Sequence, residues 1–284
     1  MFHTTNNKSA TSKMTFISSA VIYSCIFIFE WIGKIEGYPT INDTNLVALR
    51  ITGGKEAIPH SYPYQVGLLL DRRAFCGGVL ISTCHVLTAA HCVETASFIE
   101  IYLGFHNLKI TEDTQKILYN PKVIIHEHYN ATSMQNDIAI LKLPKSVQFT
   151  FAIRPISRMA DDDSGFFIGH TGVLSGWGFA YHNSNKLECK LKEVRLDIIA
   201  NKRCSILWYA SRSGISDSQL CTAGSDSIVG NVGACFGDSG GPLVVNDVLV
   251  GLVSFGNEIC EAGFPTVYTR ISKFRYWISK YTGL

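Results

Sequence analysis

From residue 65 onward the chain is cut into short apolar or β-branched runs by Gly, Asn, Asp and Pro, and this punctuation constrains the fold more than any other feature. The runs cover residues 65–70, 78–81, 98–103, 122–125, 137–143, 171–174, 193–199, 242–245, 248–253 and 266–269. Runs of about 4–8 residues bounded by turn signals are the length of buried strands and too short for ordinary helices. Many of them in succession predict an all-β barrel or sandwich. Only the end differs. Residues 271–281 set Phe274, Trp277, Ile278 and Tyr281 at helical spacing and predict one C-terminal helix. No repeat recurs at a fixed period, so any duplication of barrels is structural only.

Composition narrows the function. Hydrophobic residues make up 46% and charged residues 17% of the 284 residues, which excludes a disordered chain. A net charge of +2 gives no basic surplus for nucleic acid. Nine cysteines suggest an oxidising compartment. The N-terminus agrees. Residues 1–13 are polar with Lys8 and Lys13, residues 14–29 are uncharged and mostly apolar, and Glu30 ends the run. It is longer than many signal-peptide cores and shorter than the roughly 20 residues that span a membrane. Residues 1–37 therefore read as a signal peptide or a signal anchor, and both place the rest of the chain outside the cytosol. Residues 38–50 read as a polar, turn-rich linker. Asn42-Asp-Thr44 and Asn130-Ala-Thr132 are N-glycosylation acceptors in an exported chain.

Three local patterns carry chemistry. Thr88-Ala-Ala-His91-Cys92 sets a histidine after an apolar strand. Asn136-Asp137-Ile-Ala-Ile-Leu141 sets an acid at the start of a buried one. Gly237-Asp238-Ser239-Gly240-Gly241-Pro242 sets a serine among glycines, which let backbone amides approach a substrate oxygen. Singly, the histidine reads as structural and the acid as a turn residue. A histidine, an acid and a glycine-flanked serine together are the parts of a nucleophilic triad.

On these residues the chain resembles the trypsin/chymotrypsin family of serine endopeptidases, from about Arg50 to the C-terminus. Cys76-Gly-Gly-Val79, Ser175-Gly-Trp-Gly178 and Pro265-Thr-Val-Tyr-Thr-Arg270 add to the likeness. Tyr62-Pro-Tyr-Gln-Val-Gly-Leu-Leu-Leu70 and Leu103-Gly-Phe-His-Asn107 look most like arthropod chymotrypsin-like and collagenolytic members. The resemblance implies two six-stranded antiparallel β-barrels with a C-terminal helix, and a protease domain over residues 51–284. It implies Ser239 as nucleophile, His91 as general base, Asp137 as its orienting acid, and an oxyanion hole from the N–H groups of Gly237 and Ser239. Residues 38–50 become an activation propeptide. Cleavage after Arg50 by a trypsin-like protease frees the Ile51 amine, which in the family pairs with the acid before the nucleophile, here Asp238. Thr52 replaces the usual aliphatic residue. The implied disulfides are Cys76–Cys92, Cys204–Cys221 and Cys235–Cys260, while Cys84 and Cys189 have no usual partners.

The substrate pocket is implied at Gly233, Ala234, Ser254, Phe255, Gly256 and Thr266. Gly233 stands where the trypsin branch has Asp, so a bound Arg or Lys finds no counter-charge. Phe255 replaces a common Trp, and Thr266 replaces a frequent Gly and shortens the pocket. Cleavage after Leu, Phe, Tyr or Met is expected, with an elastase-like preference for small residues as the alternative, and a non-catalytic binding homologue as the rival of another class. Protein or peptide substrates, an activating protease and protein inhibitors are the expected partners of a secreted monomer. No cofactor is expected. His126-Glu127-His128 has no third ligand and reads as a solvated loop, and Phe105 stands where the family's calcium loop starts with Glu, so no metal is expected either.

Overall fold

The computed structural model describes residues 54–161, 167–184, 186–208, 214–226 and 230–284. The apolar N-terminal run, the linker, the sequon at Asn42, Arg50 and Ile51 lie outside the described residues. The first sheet contains β1 (Gln65–Leu70), β2 (Ala74–Leu80), β3 (His85–Thr88), β4 (Ile99–Leu103), β5 (Lys116–Tyr119), β6 (Lys122–Ile125) and β7 (Ala139–Lys142). Their order is β5-β4-β1-β2-β3-β7-β6, antiparallel throughout. The two edges β5 and β6 are successive pieces of one chain segment, divided at Asn120, whose φ is 49°, and at Pro121. Proline cannot donate to a ladder, so it breaks this strand and lets its halves pair with opposite ends of a curled sheet. The curl encloses Val66, Leu68, Leu80, Val86, Ile101, Leu103 and Leu141. In β4 the period is two: Ile99, Ile101 and Leu103 point in, while Glu100 and Tyr102 are half-buried.

The second sheet contains β8 (Thr171–Gly176), β9 (Lys192–Ile199), β10 (Gln219–Thr222), β11 (Pro242–Val245), β12 (Val248–Phe255) and β13 (Thr266–Arg270). It runs β9-β8-β11-β12-β13-β10, and pairing of β10 back to β9 closes a six-stranded barrel. Two-residue strands at Lys55–Glu56 and Arg158–Met159 attach to β9 and β12. Leu174, Leu196, Leu220, Leu243, Val250 and Tyr268 fill the interior. The expected two-barrel, all-β architecture is the one observed, with the first barrel as a curled sheet of seven strands because Asn120 and Pro121 divide one of them.

The barrels meet through a third core. Val79, Leu87, Ile138 and Ile140 of the first pack with Leu249 and Leu252 of the second and with Ile271, Phe274, Trp277 and Ile278 of the C-terminus. The predicted C-terminal helix opens with a 3₁₀ turn, Ile271–Phe274, and continues as the last helix, Arg275–Thr282. Gly283 ends it at φ 76°, donating its N–H to Ser279. A one-turn helix α1 (Ala90–Val93) follows β3, and α2 (Asn201–Trp208) follows β9. The last helix is α3. None of the described helices is long and apolar enough to cross a membrane.

Disulfides link Cys76 of β2 to Cys92 of α1, Cys204 of α2 to Cys221 of β10, and Cys235 to Cys260. Cys84 and Cys189 form no disulfide among the described residues. Asn130 is exposed, and its side-chain oxygen accepts the N–H groups of Thr132 and Ser133.

The His126-Glu127-His128 segment has a structural use. Glu127 accepts Trp277 Nε1–H at 2.8 Å, Lys280 Nζ at 3.2 Å, and the Tyr281 hydroxyl. His126 Nδ1 accepts the N–H of His128, and the His126 ring packs on Phe274 and Trp277. Glu127 thus clamps α3 to the first barrel. The Tyr281 hydroxyl above all, with Trp277 and Lys280, holds its carboxyl down to about 2. A depressed carboxylate contributes its full stabilisation above the unfolded value, and loses it as pH falls through the folded one. Glu127→Gln should therefore flatten the pH dependence of Tm between about 4.5 and about 2, and lower Tm at pH 7 by about 2 °C. Calorimetry at several pH values checks this, and an unchanged profile rejects the clamp.

Candidate active site

Asp137 precedes β7 at the junction of the barrels and is fully buried. Its Oδ1 accepts the backbone N–H of His91 at 2.9 Å. Its Oδ2 lies 2.8 Å from His91 Nδ1 and accepts the Ser254 hydroxyl at 2.7 Å. Its carbonyl accepts the Thr269 hydroxyl at 2.6 Å. A carboxylate can only accept, so the ring proton of His91 sits on Nδ1 and leaves Nε2 with a lone pair. His91 itself is set by α1, which starts directly after β3, and its side chain is 23% exposed. Nε2 lies 3.7 Å from the Cys92 sulfur. His91 and Ser239 line one cleft of about 900 Å³, and no hydrogen bond joins them among the described residues. Such bonds are often long until a substrate is bound.

The segment around Ser239 is a chain of turns whose N–H groups can be accounted for one by one. Asp238 N–H goes to Cys235 O, Gly240 N–H to Val253 O, and Gly241 N–H to Asp238 O. Gly237 N–H and Ser239 N–H have no acceptor among the described residues. The Phe236 carbonyl accepts Phe179 N–H at 2.8 Å. In a trans peptide the C=O and N–H point opposite ways, so this bond turns Gly237 N–H away from Phe179. Gly237 has φ 97°, and a Cβ there would lie 2.7 Å from Leu187 Cδ2. Two unengaged donors beside a hydroxyl and an imidazole can hold a negative oxygen while the hydroxyl attacks a carbonyl.

Asp238 points the other way, into the protein, and is fully buried. Gly178 N–H donates to its Oδ1 at 2.8 Å and Cys235 N–H to its Oδ2 at 3.0 Å. Burial pushes its carboxyl up to about 6 despite these bonds. Its space exists because Gly176 and Gly178 lack side chains. A Cβ on either would lie 2.1 or 2.3 Å from the carboxyl group. The glycines of Ser175-Gly-Trp-Gly178 thus have a reason that the sequence alone does not disclose.

The residues selected on sequence for the substrate pocket do not line the cleft of His91 and Ser239; their described contacts are with one another, with Trp208 and with the barrel junction. Gly233 is buried, and a Cβ there would lie 2.9 Å from Thr266 Oγ1. That same hydroxyl accepts Ala234 N–H at 3.2 Å, and Thr266 is 2% exposed. Phe255 packs edge-on against Trp208 of α2, whose Nε1–H donates to Pro265 O. Gly256 has only Ala234 O nearby, at 4.0 Å, so this side is open. The Ser254 hydroxyl, grouped with the pocket on sequence, donates to Asp137 instead. Sequence reasoning quoted Thr269 within its Pro265–Arg270 motif but gave it no role, and did not single out Phe179, Trp208 or the cleft wall of Phe75, Leu187 and Phe236. Their only signal was nearness to the motifs.

The Trypsin family profile matches residues 51–278. The chain is 38% identical over 235 residues to brachyurin of Leptuca pugilator, covering 82% of this chain and 99% of that protein. It is 34% identical over 239 residues to a chymotrypsin of Phaedon cochleariae, covering 83% of each. A solved structure of HL collagenase superposes with a TM-score of 0.72 at 33% identity, over 82% of this chain and 99% of that one.

If the donors and the Asp137–His91 pair act on Ser239, a fluorophosphonate will label Ser239 in the chain cleaved after Arg50. Asp137→Asn keeps the shape but imposes the wrong imidazole tautomer, and should slow labelling by about 10⁴-fold. Gly178→Ala should slow it as well, through displacement of Asp238. Labelling at the wild-type rate in Asp137→Asn rejects the arrangement.

Proposed function

The chain belongs to the trypsin family of serine endopeptidases, and from that premise we propose that Ser239, His91 and Asp137 hydrolyse peptide bonds after uncharged residues. The observation that carries this reading is the pair of unengaged N–H groups, Gly237 and Ser239, on the cleft shared with a histidine tied to buried Asp137.

The steps follow from that geometry. His91 Nε2 accepts the Ser239 proton as Oγ attacks the carbonyl carbon. The carbonyl oxygen becomes an oxyanion held by the two N–H groups, each of which contributes on the order of 10²–10³ in rate. Asp137 stabilises the imidazolium and keeps it aligned. Collapse breaks the C–N bond, and His91 returns the proton to the leaving amine. This leaves an ester on Ser239. Water then attacks the ester, gives its proton to His91, and the acid product leaves as Ser239 recovers its proton.

Specificity rests on the pocket. Gly233 and Ala234 carry no charge, and stripping a guanidinium or ammonium of water without a partner costs several kcal/mol. The open side at Gly256 admits a large side chain, which favours Leu, Phe, Tyr and Met. Thr266 supports the elastase-like reading, because its buried hydroxyl stands against Gly233 and accepts Ala234 N–H. Relatives named chymotrypsin and one named trypsin delta match the chain at similar identity, so the preference rests on the pocket residues alone.

We further read residues 1–37 as the export segment, 38–50 as a propeptide and 51–284 as the protease of a secreted, monomeric, Asn-glycosylated zymogen. The raised Asp238 carboxyl is the support for activation. An amine freed at Ile51 is the natural counter-charge for a buried acid that dehydration destabilises. A trypsin-like protease is the activator, and protein substrates and inhibitors are the partners.

The test is a peptide library varied at the residue before the scissile bond, on chain cleaved by trypsin after Arg50 and freed of trypsin. Cleavage after Leu, Phe, Tyr or Met, abolished by Ser239→Ala, is expected. Cleavage after Ala or Val alone moves the assignment to the elastase-like reading. Cleavage after Arg or Lys, or none at all with the Ile51 terminus verified, overturns the proposal.

A further inference from the structure

The cleft shared by His91 and Ser239, about 900 Å³ in volume, is lined by none of Gly233, Ala234, Ser254, Phe255, Gly256 and Thr266. Chemistry says which half of a peptide lies in it. His91 gives its proton to the leaving amine, so the amine half of a bound peptide passes His91, and the acyl half runs to the other side of Ser239. His91, Cys92 and Cys76 stand in the wall of the cleft, which therefore holds the amine half. The assignment rests on the protease reading of Ser239.

The wall next to the nucleophile is apolar. Leu187 lies against an oxyanion donor, since a Cβ on Gly237 would meet its Cδ2 at 2.7 Å. Phe236 precedes Gly237 and is 49% exposed, with its ring centre 6.0 Å from that of Phe179. Phe75 comes two residues before Gly77, whose N–H donates to Ser239 O at 2.7 Å, and its ring packs edge-on against buried Trp177. Rings held from behind and open in front form a standing apolar surface, and covering it with an apolar side chain stabilises a bound peptide. Positive charge follows the apolar wall along the chain. Arg73 precedes Phe75 by two residues and Lys186 adjoins Leu187, and both are exposed on the cleft, as is Lys109. Neither Arg73 nor Lys186 makes an ion pair among the described residues. The two acids of the wall are already engaged. Asp71 Oδ1 accepts the N–H groups of Ser97 and Phe98 at 3.1 and 2.8 Å, and Glu188 Oε2 lies 3.7 Å from Lys192 Nζ.

We propose that this cleft selects the leaving half of the substrate: a large apolar side chain at the first or second residue after the scissile bond, and Asp or Glu at the residue after that. Phe75, Leu187 and Phe236 take the apolar side chain, and Arg73 and Lys186 take the acid. An extended peptide advances about 3.3 Å per residue, so an apolar contact beside Gly237 and a cation one or two residues farther along the wall match neighbouring residues of one bound strand. Exposed charge pairs contribute modestly and are screened by salt. The apolar contact therefore sets most of the gain, and the cations set the order of preference, since a basic residue in the same place meets repulsion. Phe75, Leu187 and Phe236 come from three separate segments, so no motif announces this wall.

The test uses chain cleaved by trypsin after Arg50 and freed of trypsin, with internally quenched peptides. These share the residue before the scissile bond that the peptide library selects, and differ after it. kcat/KM should be about tenfold higher with Leu than with Ser at the apolar position. It should be about fivefold higher with Glu than with Lys at the residue after that, a difference that shrinks as salt is raised. In the double variant Arg73→Glu, Lys186→Glu the order of Glu and Lys should reverse. A ratio taken within one variant does not depend on how much of it is active, and Tm shows that it is folded. A p-nitroanilide of the same acyl half carries no leaving peptide and reports the triad alone. Equal cleavage of Glu and Lys peptides, a preference for Lys, or a ratio unmoved in the double variant overturns the assignment, while anilide hydrolysis leaves the protease reading standing. An inert anilide overturns that reading instead. Binding of the leaving-half peptides to Ser239→Ala, followed by fluorescence anisotropy, then decides the charge preference: tighter binding of the Glu peptide supports it, and equal binding rejects it.

Discussion

Asp137 is the point on which the two halves of the molecule agree. Its side chain has no contact with water, and charged groups without water must be hydrogen-bonded or they destabilise the fold by several kcal/mol. The donors come from both barrels. His91 supplies its backbone N–H and its ring, while Ser254 of β12 and Thr269 of β13 supply hydroxyls from the second barrel. Sliding one barrel over the other would strip this carboxylate of partners. The apolar junction of Val79, Leu87, Ile140, Leu249 and Leu252 drives association, but is not directional. The bonds to Asp137 choose the angle. The same bonds fix the His91 tautomer, so barrel docking and the state of the base are one constraint.

Asp238 applies the same physics with a different outcome. It too is buried, but its described partners are two backbone N–H groups, and its carboxyl is pushed up to about 6. A carboxylate in that condition is sensitive to any cation brought to it. Because Asp238 is bonded to Ser239 along the chain, and its N–H and C=O hold the turn from Cys235 to Gly241, the ionisation of Asp238 and the direction of the two free donors are mechanically linked. The Phe179–Phe236 bond sits on the same strip, one residue from Gly178, which also donates to Asp238.

How much of this was legible in the sequence depended on how local the cause was. Strands with β-branched runs and close turns, such as β11 and β6, fell at their expected residues, because the pattern that buries them is contained within them. β5, β10 and α2 were not anticipated. β10 is Gln-Leu-Cys-Thr and buries all four residues, two of them polar, because the second barrel closes through it. α2 has no apolar stripe and is held by Cys204 and Trp208 instead. The Ser239 loop was legible since its glycines are a local demand of the backbone. The duty of Ser254 toward Asp137, the clamp on α3 at Glu127 and the convergence of His60 with His106 were not, because each joins residues far apart in the chain.

A buried polar atom without a partner is informative only when several converge. Gln65 shows the limit. Its Oε1 accepts the Ser175 hydroxyl at 2.6 Å, which leaves Nε2 without an acceptor, but no second unsatisfied group faces it. That is the cost of orienting one amide. At the Ser239 loop two unsatisfied groups of one polarity do converge. Gly237 and Ser239 offer two N–H donors on one cleft, a place that only an electron-rich atom can complete. Among the described residues, His60 and His106 each leave Nδ1 without a partner on rings 6.3 Å apart, while the Nε2 proton of His106 is committed to Glu56. The fold satisfies its backbone almost everywhere through two barrels, so two unengaged N–H groups on one cleft stand out as a place for an oxyanion.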